Sequence, residues 1–203
     1  MSQYEATDRF QTDEEAIREE RRAQLRENIV FIAQLVMVVA IGLLLRRYVF
    51  TLTVVSGSSM QETLQDHQVV AVERLSYLLG EPKPGDIVIC HYPGDSTHNY
   101  VKRIVAMEGD TIAIRDGKTY LNGSEVFEDF ISYPSNYDYL EYETMPLPAG
   151  KVFVMGDNRA ISKDSRSVGL LSLEEIQGRV VAVVFPFGEI HGIGPEPAYS
   201  ELS

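Results

Sequence analysis

A serine within a run of small residues is the first feature of the sequence that could do chemistry. Ser59 lies in the stretch Ser-Gly-Ser-Ser-Met at residues 56–60. Small side chains allow a tight turn that exposes a hydroxyl and leaves backbone N–H groups free to stabilise an oxyanion. Alone, the stretch is also explained by an ordinary turn, so a nucleophilic Ser59 requires a base elsewhere in the chain.

Lys102 is a candidate for that base. It stands among apolar neighbours in the strand-like run Tyr-Val-Lys-Arg-Ile at 100–104. Burial penalises a charged ammonium and lowers its pKa, and a neutral amine beside a serine hydroxyl is a competent general base. The alternative is a lysine at a sheet edge whose amine extends into solvent.

A dense polar run at 156–166, Gly-Asp-Asn-Arg-Ala-Ile-Ser-Lys-Asp-Ser-Arg, is the third such feature. Its side chains can hydrogen-bond one another and hold the wall of an active site in place. The alternative is an exposed loop of turn-forming residues. The four histidines and Cys90 lack a metal-ligand spacing, and Cys90 and His91 point to opposite faces of a predicted strand, so neither a metal cofactor nor a Cys-His pair is expected.

The composition limits the class of protein that presents these residues. The chain has 203 residues, 30 acidic against 18 basic side chains, and a net charge of -12. Nucleic-acid affinity depends largely on Lys and Arg, so a nucleic acid is not an expected partner. Cys90 is the only cysteine, which excludes an intramolecular disulfide. Enough apolar and aromatic residues remain to predict a packed core.

A membrane anchor precedes the candidate nucleophile. Residues 1–28 form a charged arm, and residues 29–45 are apolar on every helical face, with Gln34 as the only polar side chain. Extended to 50, this segment matches the hydrocarbon thickness of a bilayer, which predicts a transmembrane anchor at 29–50. The alternatives are a buried soluble helix and a cleavable secretory signal. Four arginines in the turns just before the apolar run, between 18 and 26, and two just after it, at 46 and 47, favour a cytoplasmic N-terminus.

The remainder, 51–203, has the pattern of a mainly β domain. Two hairpin signals, Asp116-Gly117 and Asn122-Gly123, predict a three-strand meander, and Ser172 to Glu175 has the spacing of a capping box that starts a short helix ending near Gly178. A hairpin and a Tyr-rich excursion occupy 111–150, with four tyrosines between 133 and 142. The predicted strands are 51–55, 69–73, 86–91, 100–105, 111–115, 118–121, 152–155 and 179–185.

Taken together, the three chemical elements resemble the bacterial type I signal peptidases, membrane-anchored serine proteases with a Ser-Lys dyad. The resemblance runs from the anchor to about Phe187 and is carried, in the family's order, by SGSSMQETL, PGDIVICHYP, YVKRIVAMEGD and GDNRAISKDSR. It implies a single N-terminal transmembrane helix followed by an antiparallel β catalytic domain of the signal-peptidase type. The implied activity is removal of signal peptides from exported preproteins after small-x-small sites, without a metal or other cofactor.

The resemblance also implies the role of individual residues. Ser59 is the nucleophile, its backbone N–H is the main oxyanion donor, and Lys102 is the general base that later protonates the leaving amine. Ser162 is expected to hydrogen-bond and orient the Lys102 amine. Gly57 stands where some members carry a second hydroxyl donor, so that donor is absent here. Further supporting residues are Asp157, Asp164, Arg166 and Arg103, of which Asp164 and Arg166 pair.

Substrate is expected to bind as an extended strand between 53–56 and 98–102. Shallow apolar pockets that admit small side chains are assigned to Val55, Met60, Leu64, Tyr100 and Val101. The implied partners are secretory preproteins and the lipid bilayer, with neither nucleic acid nor metal. The expected location is a bacterial cell membrane, with the catalytic domain on the extracytoplasmic side.

Three positions depart from the family pattern: Glu62 and Glu108 replace common prolines, and Ala106 replaces a common glycine. Loss of the proline at 62 is expected to loosen the turn after Ser59, and a nearby carboxylate is expected to raise the Lys102 pKa.

Two alternative functions are compatible with the three chemical elements. One is a self-cleaving Ser-Lys protease of the SOS-repressor kind, which the anchor disfavours, and the other is an inactive anchored β module that binds exported proteins. The family pattern excludes a Ser-His signal peptidase, because Lys102 occupies the base position.

Overall fold

The computed structural model describes residues 21–22, 24–43, 50–131 and 141–200. The chain divides into two compact units, Met1–Arg47 and Tyr48–Ser203. In the first unit, helix α1 spans Gln24–Leu43, and by length and composition it is able to cross a membrane. Its side chains are exposed throughout, as expected of an apolar surface that requires a nonpolar environment.

The bounds of this helix differ from those of the predicted anchor at 29–50. The helix already includes Gln24, within the predicted charged arm, and Phe50 begins a strand. The strand includes the last residue of the predicted anchor, and where the anchor itself ends stays a prediction. Residues 1–20, 23 and 44–49, which include Arg46 and Arg47, lie outside the described residues.

The second unit is built mainly from antiparallel strands in two sheets, which confirms the predicted fold class. The larger sheet has the order β1-β2-β11-β3-β4-β9-β10, with β12 paired to β11, and the smaller has the order β7-β6-β5-β8. The strands of the larger sheet are β1 (Phe50–Val54), β2 (Val69–Glu73), β3 (Ile87–Tyr92), β4 (Asp95–Ala106), β9 (Lys151–Met155), β10 (Leu171–Ser172), β11 (Ile176–Phe185) and β12 (His191–Gly192). Those of the smaller sheet are β5 (Ile112–Arg115), β6 (Lys118–Leu121), β7 (Ser124–Glu125) and β8 (Tyr142–Glu143).

Both predicted hairpins of the smaller sheet are present. Asp116 and Gly117 have φ of 49° and 75°, and Asn122 and Gly123 have φ of 53° and 83°. Two consecutive positive φ values are what a type I′ turn requires, which is why Asx-Gly pairs occupy these positions. Tyr142 pairs with β5 and packs on Phe153 at 5.2 Å between ring centroids, whereas the other tyrosines of the predicted excursion lie outside the described residues.

Helical segments in this unit are short: α2 (Leu75–Leu79), α3 (Ser165–Val168) and α4 (Pro197–Ser200). Single 3-10 turns lie at Leu173–Glu175 and Phe187–Glu189. The predicted capping box is present, with the Glu175 carboxylate 2.6 Å from the backbone N of Ser172, but the helix it starts ends at Glu175 rather than near Gly178. Strand β11 starts at the next residue, Ile176, because pairing with Cys90 on β3 replaces further helical bonds.

One apolar cluster determines where the Ser59 turn lies. Val55, Met60 and Leu64 are at most 3% exposed and pack with residues of β2, β3 and β11. Fully burying such a side chain contributes about 1.5–3 kcal/mol, so three of them hold the turn against the sheet. The polypeptide between β1 and β2 is thereby fixed at both sides of Ser59.

Candidate active site

The turn that carries Ser59 is closed by its own backbone hydrogen bonds. Leu64 N–H donates to the Met60 carbonyl at 2.8 Å, and Thr63 N–H donates to the same oxygen at 3.0 Å. Glu62 takes φ of 94°, a left-handed conformation that proline cannot adopt. The backbone here follows a hydrogen-bonded path that does not depend on a proline at this position, and the expected loosening of the turn stays a prediction. The acidic side chains that act on the Lys102 pKa are Asp164 and Asp157.

Ser59 and Lys102 are brought into direct contact. The Lys102 Nζ lies 2.7 Å from the Ser59 Oγ and donates a second hydrogen bond to the Val101 carbonyl at 2.8 Å. Lys102 is 2% exposed, whereas Ser59 is half-buried and reachable from solvent. The alternative of a lysine extended into solvent is therefore excluded.

Burial is the main cause that lowers the pKa of Lys102 below its ordinary value of 10.5. The carboxylates of Asp164 and Asp157 act in the opposite direction but do not reverse the shift. A lowered pKa increases the fraction of neutral amine, and only the neutral amine can accept a proton from the Ser59 hydroxyl at this distance. The site thus brings a hydroxyl and a buried amine to hydrogen-bond distance of each other.

The wall opposite Lys102 begins at Gly156. A Cβ added to Gly156 would lie 2.4 Å from the Ser59 carbonyl oxygen and 2.2 Å from the Ser162 Oγ, so the wall approaches the nucleophile through bare backbone. Asn158 N–H also donates to the Ser59 carbonyl at 3.0 Å. Ser59 is therefore held by the polar run from one side and by its buried neighbours from the other.

Ser162 does not make the hydrogen bond predicted for it. Among the described residues, no hydrogen bond joins its buried Oγ to Lys102 Nζ, which is bonded to Ser59 and Val101 instead, and a contact from Ser162 contributes to the lowered pKa of Asp164. The Val101 carbonyl is the group that orients the amine in this arrangement. Ser162 remains adjacent to the site, because its side chain packs on Gly156.

Asp164 and Arg166 form the predicted pair. Two hydrogen bonds of 2.8 Å join the Arg166 Nε and Nη2 to the Asp164 carboxylate, which also accepts from Gly156 N–H at 3.0 Å. Burial by itself raises the pKa of Asp164, but the Arg166 bonds and charge outweigh it and hold the pKa below its ordinary value. A charged Asp164 therefore fixes the start of the wall at Gly156.

Arg103 and Asp157 form a second, more deeply buried pair. Arg103 donates to Asp157 through Nε at 2.9 Å and Nη2 at 2.7 Å, and the two side chains are 3% and 0% exposed. Thr63 donates to the same carboxylate at 2.5 Å. This bidentate pair links β4, next to Lys102, with the polar run and with the turn that carries Ser59.

Sequence reasoning missed a third buried group, around Arg159. Its guanidinium contacts both carboxylate oxygens of Glu128, donates to Thr119 Oγ1 at 3.0 Å and donates to Tyr199 OH at 3.1 Å. The partners are 31 to 40 residues away in sequence: Thr119 and Glu128 precede the polar run, and Tyr199 follows it. The available signal was Arg159 itself, because an arginine that becomes buried needs a carboxylate partner. No local sequence pattern identified which carboxylate that is.

The five residues assigned to substrate contact lie in two settings. Val55, Met60 and Leu64 are buried in the apolar cluster under the Ser59 turn, so they support the site from beneath rather than forming an open surface. Val101 and Tyr100 are half-buried, and Tyr100 stacks on Tyr92 with ring centroids 3.9 Å apart. Val101 is partly buried at the margin of the apolar cluster, and it directly precedes Lys102 in the chain.

Free backbone edges flank the site. Among the described strands, β1 pairs only with β2, and β4 pairs with β9 only from Arg103 onward. The segment of β4 before Arg103 is therefore paired on one side alone, by β3. Within the described ranges, no group of three or more His, Cys, Asp or Glu side chains is placed to hold a metal ion.

Comparison with known proteins gives a consistent set of matches. The family model described as signal peptidase, peptidase S26, matches residues 27–185. Signal peptidase I P of Bacillus subtilis subsp. natto is 37% identical over 164 residues, which cover 77% of this chain and 88% of that protein. Signal peptidase IB of Staphylococcus aureus is 30% identical over 187 residues, covering 84% and 97%.

Among solved structures, a signal peptidase I from Enterococcus faecalis V583 is 28% identical, with a TM-score of 0.43. The match covers 48% of this chain and 95% of that one.

Proposed function

The chain belongs to the signal peptidase family, peptidase S26, serine-type endopeptidases that cleave signal peptides from preproteins, and we propose that Ser59 and Lys102 are its catalytic dyad. The observation that carries the proposal is the 2.7 Å contact between the Ser59 Oγ and the buried Lys102 Nζ. The supporting residues are Asp157, Arg103, Asp164, Arg166 and Ser162.

Acylation begins when the neutral Lys102 amine takes the proton of the Ser59 hydroxyl. The Ser59 Oγ then attacks the scissile carbonyl carbon and forms a tetrahedral intermediate. Among the described residues, Ser59 N–H has no internal acceptor, which leaves it available to the oxyanion. Gly57, with φ of 91°, contributes no hydroxyl there, so the oxyanion depends on backbone donors.

The Lys102 ammonium next returns its proton to the leaving amine, which is the new N-terminus of the mature protein. The amine of Lys102, neutral again, removes a proton from a water molecule that attacks the acyl-Ser59 ester. Its contact with the Val101 carbonyl keeps Nζ in place through both half-reactions. A single base therefore serves acylation and deacylation.

The substrate is proposed to bind as an extended strand along the free edges of β1 and of β4 before Arg103. Backbone pairing of this kind positions a peptide without reading most of its side chains. Val101 and Tyr100 flank the position next to Lys102, and the buried Val55, Met60 and Leu64 support this position from beneath. The proposed substrates are preproteins with small-x-small cleavage sites.

Cleavage of a preprotein is expected to depend on an alkaline ionisation. The pKa of Lys102 is lowered from 10.5, and the base must be neutral, so kcat/KM should rise with pH through a pKa below 10.5 and then level off. The measurement is kcat/KM across pH for the purified full-length chain in detergent, with product N-termini identified by mass spectrometry. The same pH dependence in a Lys102→Met chain that still cleaves would instead show that another group is the base.

The membrane arrangement is proposed as a single span by α1 with the N-terminus in the cytoplasm. The helix is long and apolar enough, and four arginines between 18 and 26 precede the apolar run, against the two that follow it at 46 and 47. Protease added to intact spheroplasts should digest the catalytic domain and spare a tag at the N-terminus. Digestion of the tag with survival of the domain would contradict this orientation.

A further inference from the structure

We propose that the C-terminal segment Glu196–Ser200 positions the catalytic serine, acting through the Tyr199 hydroxyl on Arg159 and through the Glu196 backbone on Gly85. The proposal rests on the function proposed above, because it concerns how the Ser59 and Lys102 geometry is maintained. Tyr199 is a positioning residue here, since it does not touch Ser59 or Lys102.

Tyr199 is the buried aromatic residue of this segment. The side chain is 0% exposed, and its ring packs in the apolar cluster that contains Val105, Phe153 and Met155. Its hydroxyl donates to Glu128 and accepts from the Arg159 Nη2 at 3.1 Å. A four-residue helix near the end of the chain is thereby fixed by both apolar packing and a polar contact.

Arg159 connects Tyr199 to the active-site wall. Its Nε donates to the Gly156 carbonyl at 3.1 Å, and its own carbonyl accepts from Arg166 at 2.9 Å. Gly156 in turn packs against the Ser59 carbonyl so closely that no Cβ would fit between them. The path from Tyr199 to the nucleophile thus consists of Arg159, Gly156 and direct backbone contact.

A second contact joins the same segment to the other side of the wall. Glu196 N–H donates to the Gly85 carbonyl at 3.1 Å, and Arg103 Nη1 donates to that same oxygen at 2.9 Å. Gly85 has φ of 92°, and a Cβ there would lie 2.6 Å from the Glu196 carbonyl oxygen. Arg103 also pairs with Asp157. The segment Glu196–Ser200 is therefore linked to Gly156 through Arg159 and to Asp157 through Gly85 and Arg103.

The polar part of this arrangement is sensitive to a single missing atom. Glu128 and Arg159 are buried to 5% and 1% side-chain exposure, so a lost partner cannot be replaced by bulk water. Replacing Tyr199 by phenylalanine removes only the hydroxyl and keeps the apolar ring. The guanidinium then loses one acceptor and Glu128 one donor, and the Arg159 contact with Gly156 is expected to shift.

The test compares wild type, Tyr199→Phe and the control Tyr142→Phe as full-length chains in detergent. Tyr142 packs against the same cluster, and no hydrogen bond of its hydroxyl connects it to the wall among the described residues. With Tyr199→Phe we expect kcat for preprotein cleavage to fall roughly tenfold to a hundredfold with KM within about twofold, as for displacement of a catalytic geometry. Tyr142→Phe should leave both constants unchanged.

The second readout is an NMR titration of Lys102 in chains with labelled lysine side chains. We expect Tyr199→Phe, but not Tyr142→Phe, to move the Lys102 resonance and its titration midpoint. If kcat and the Lys102 titration both match wild type and only the melting temperature falls, Tyr199 is merely structural and the proposal is overturned. If wild type cleaves no preprotein, the proposed function fails, while the Lys102 titration still decides whether Tyr199 positions the site.

Discussion

Replacing Ser59 by alanine is expected to abolish preprotein cleavage, and Lys102→Met to lower kcat by at least about a thousandfold with little change in KM. Among the described residues, Ser59 supplies the hydroxyl that is hydrogen-bonded to the Lys102 amine, and methionine keeps the length and apolar character of the lysine side chain while removing the base. Losses of about 10⁴ to 10⁶ are typical when a nucleophile or its base is removed from such a unit, and the double variant should be no worse than either single one.

The stability of Lys102→Met separates catalysis from folding. The folded chain holds Lys102 at a pKa lowered by burial, whereas the unfolded chain holds it near 10.5. Between these two values the unfolded chain binds more protons, so this lysine makes wild-type stability rise with pH through that window. Relative to wild type, Lys102→Met should therefore be most stable at neutral pH and lose that advantage as pH approaches 10.5.

Thermal unfolding across pH measures this difference, with Lys83→Met as the matched control because the Lys83 side chain is exposed on the surface. A Lys102→Met chain that is unfolded at neutral pH would indicate a structural lysine and would leave its lost activity uninformative. Full activity of Lys102→Met would overturn the dyad and favour a base elsewhere in the chain.

Much of the fold and the dyad could be predicted from the sequence because the determining signals are local. Asn122-Gly123 fixes a hairpin through φ values that few other pairs tolerate, and the apolar neighbours of Lys102 indicate that β4 buries it. The order of the family motifs predicts that Ser59 and the polar run both lie beside that strand. Local pattern and motif order together were sufficient to place nucleophile and base.

The positions that could not be predicted depend on contacts between distant segments. Nothing near Arg159 in sequence indicates Glu128 or Tyr199, because a buried arginine specifies the charge of its partner but not its place in the chain. The described residues show no bond from Ser162 to Lys102, for a related reason. Lys102 donates to the carbonyl of its own neighbour, Val101, at 2.8 Å, and side-chain direction within a strand does not reveal that choice.

Replacing Gly156 by alanine is expected to lower kcat/KM by at least about a hundredfold, although the change adds a single methyl group. The new Cβ would lie 2.4 Å from the Ser59 carbonyl oxygen, a backbone atom that also accepts from Asn158 N–H and cannot rotate away. Relief requires the wall to move from the nucleophile, and displacement of about 1 Å is enough for a loss of this size. Overpacking should also destabilise the fold by about 1–3 kcal/mol.

Gly188→Ala is the matched control, because a Cβ at Gly188 meets nothing within 4 Å. The background Ser162→Gly separates the two contacts of the new methyl group, since it removes the Ser162 side chain and leaves the Ser59 carbonyl in place. In that background Gly156→Ala should still reduce kcat/KM strongly. Recovery of activity in the double variant would show that the clash with Ser162, and not the clash with the Ser59 carbonyl, causes the loss. The distance between Gly156 and the Ser59 backbone would then not limit activity.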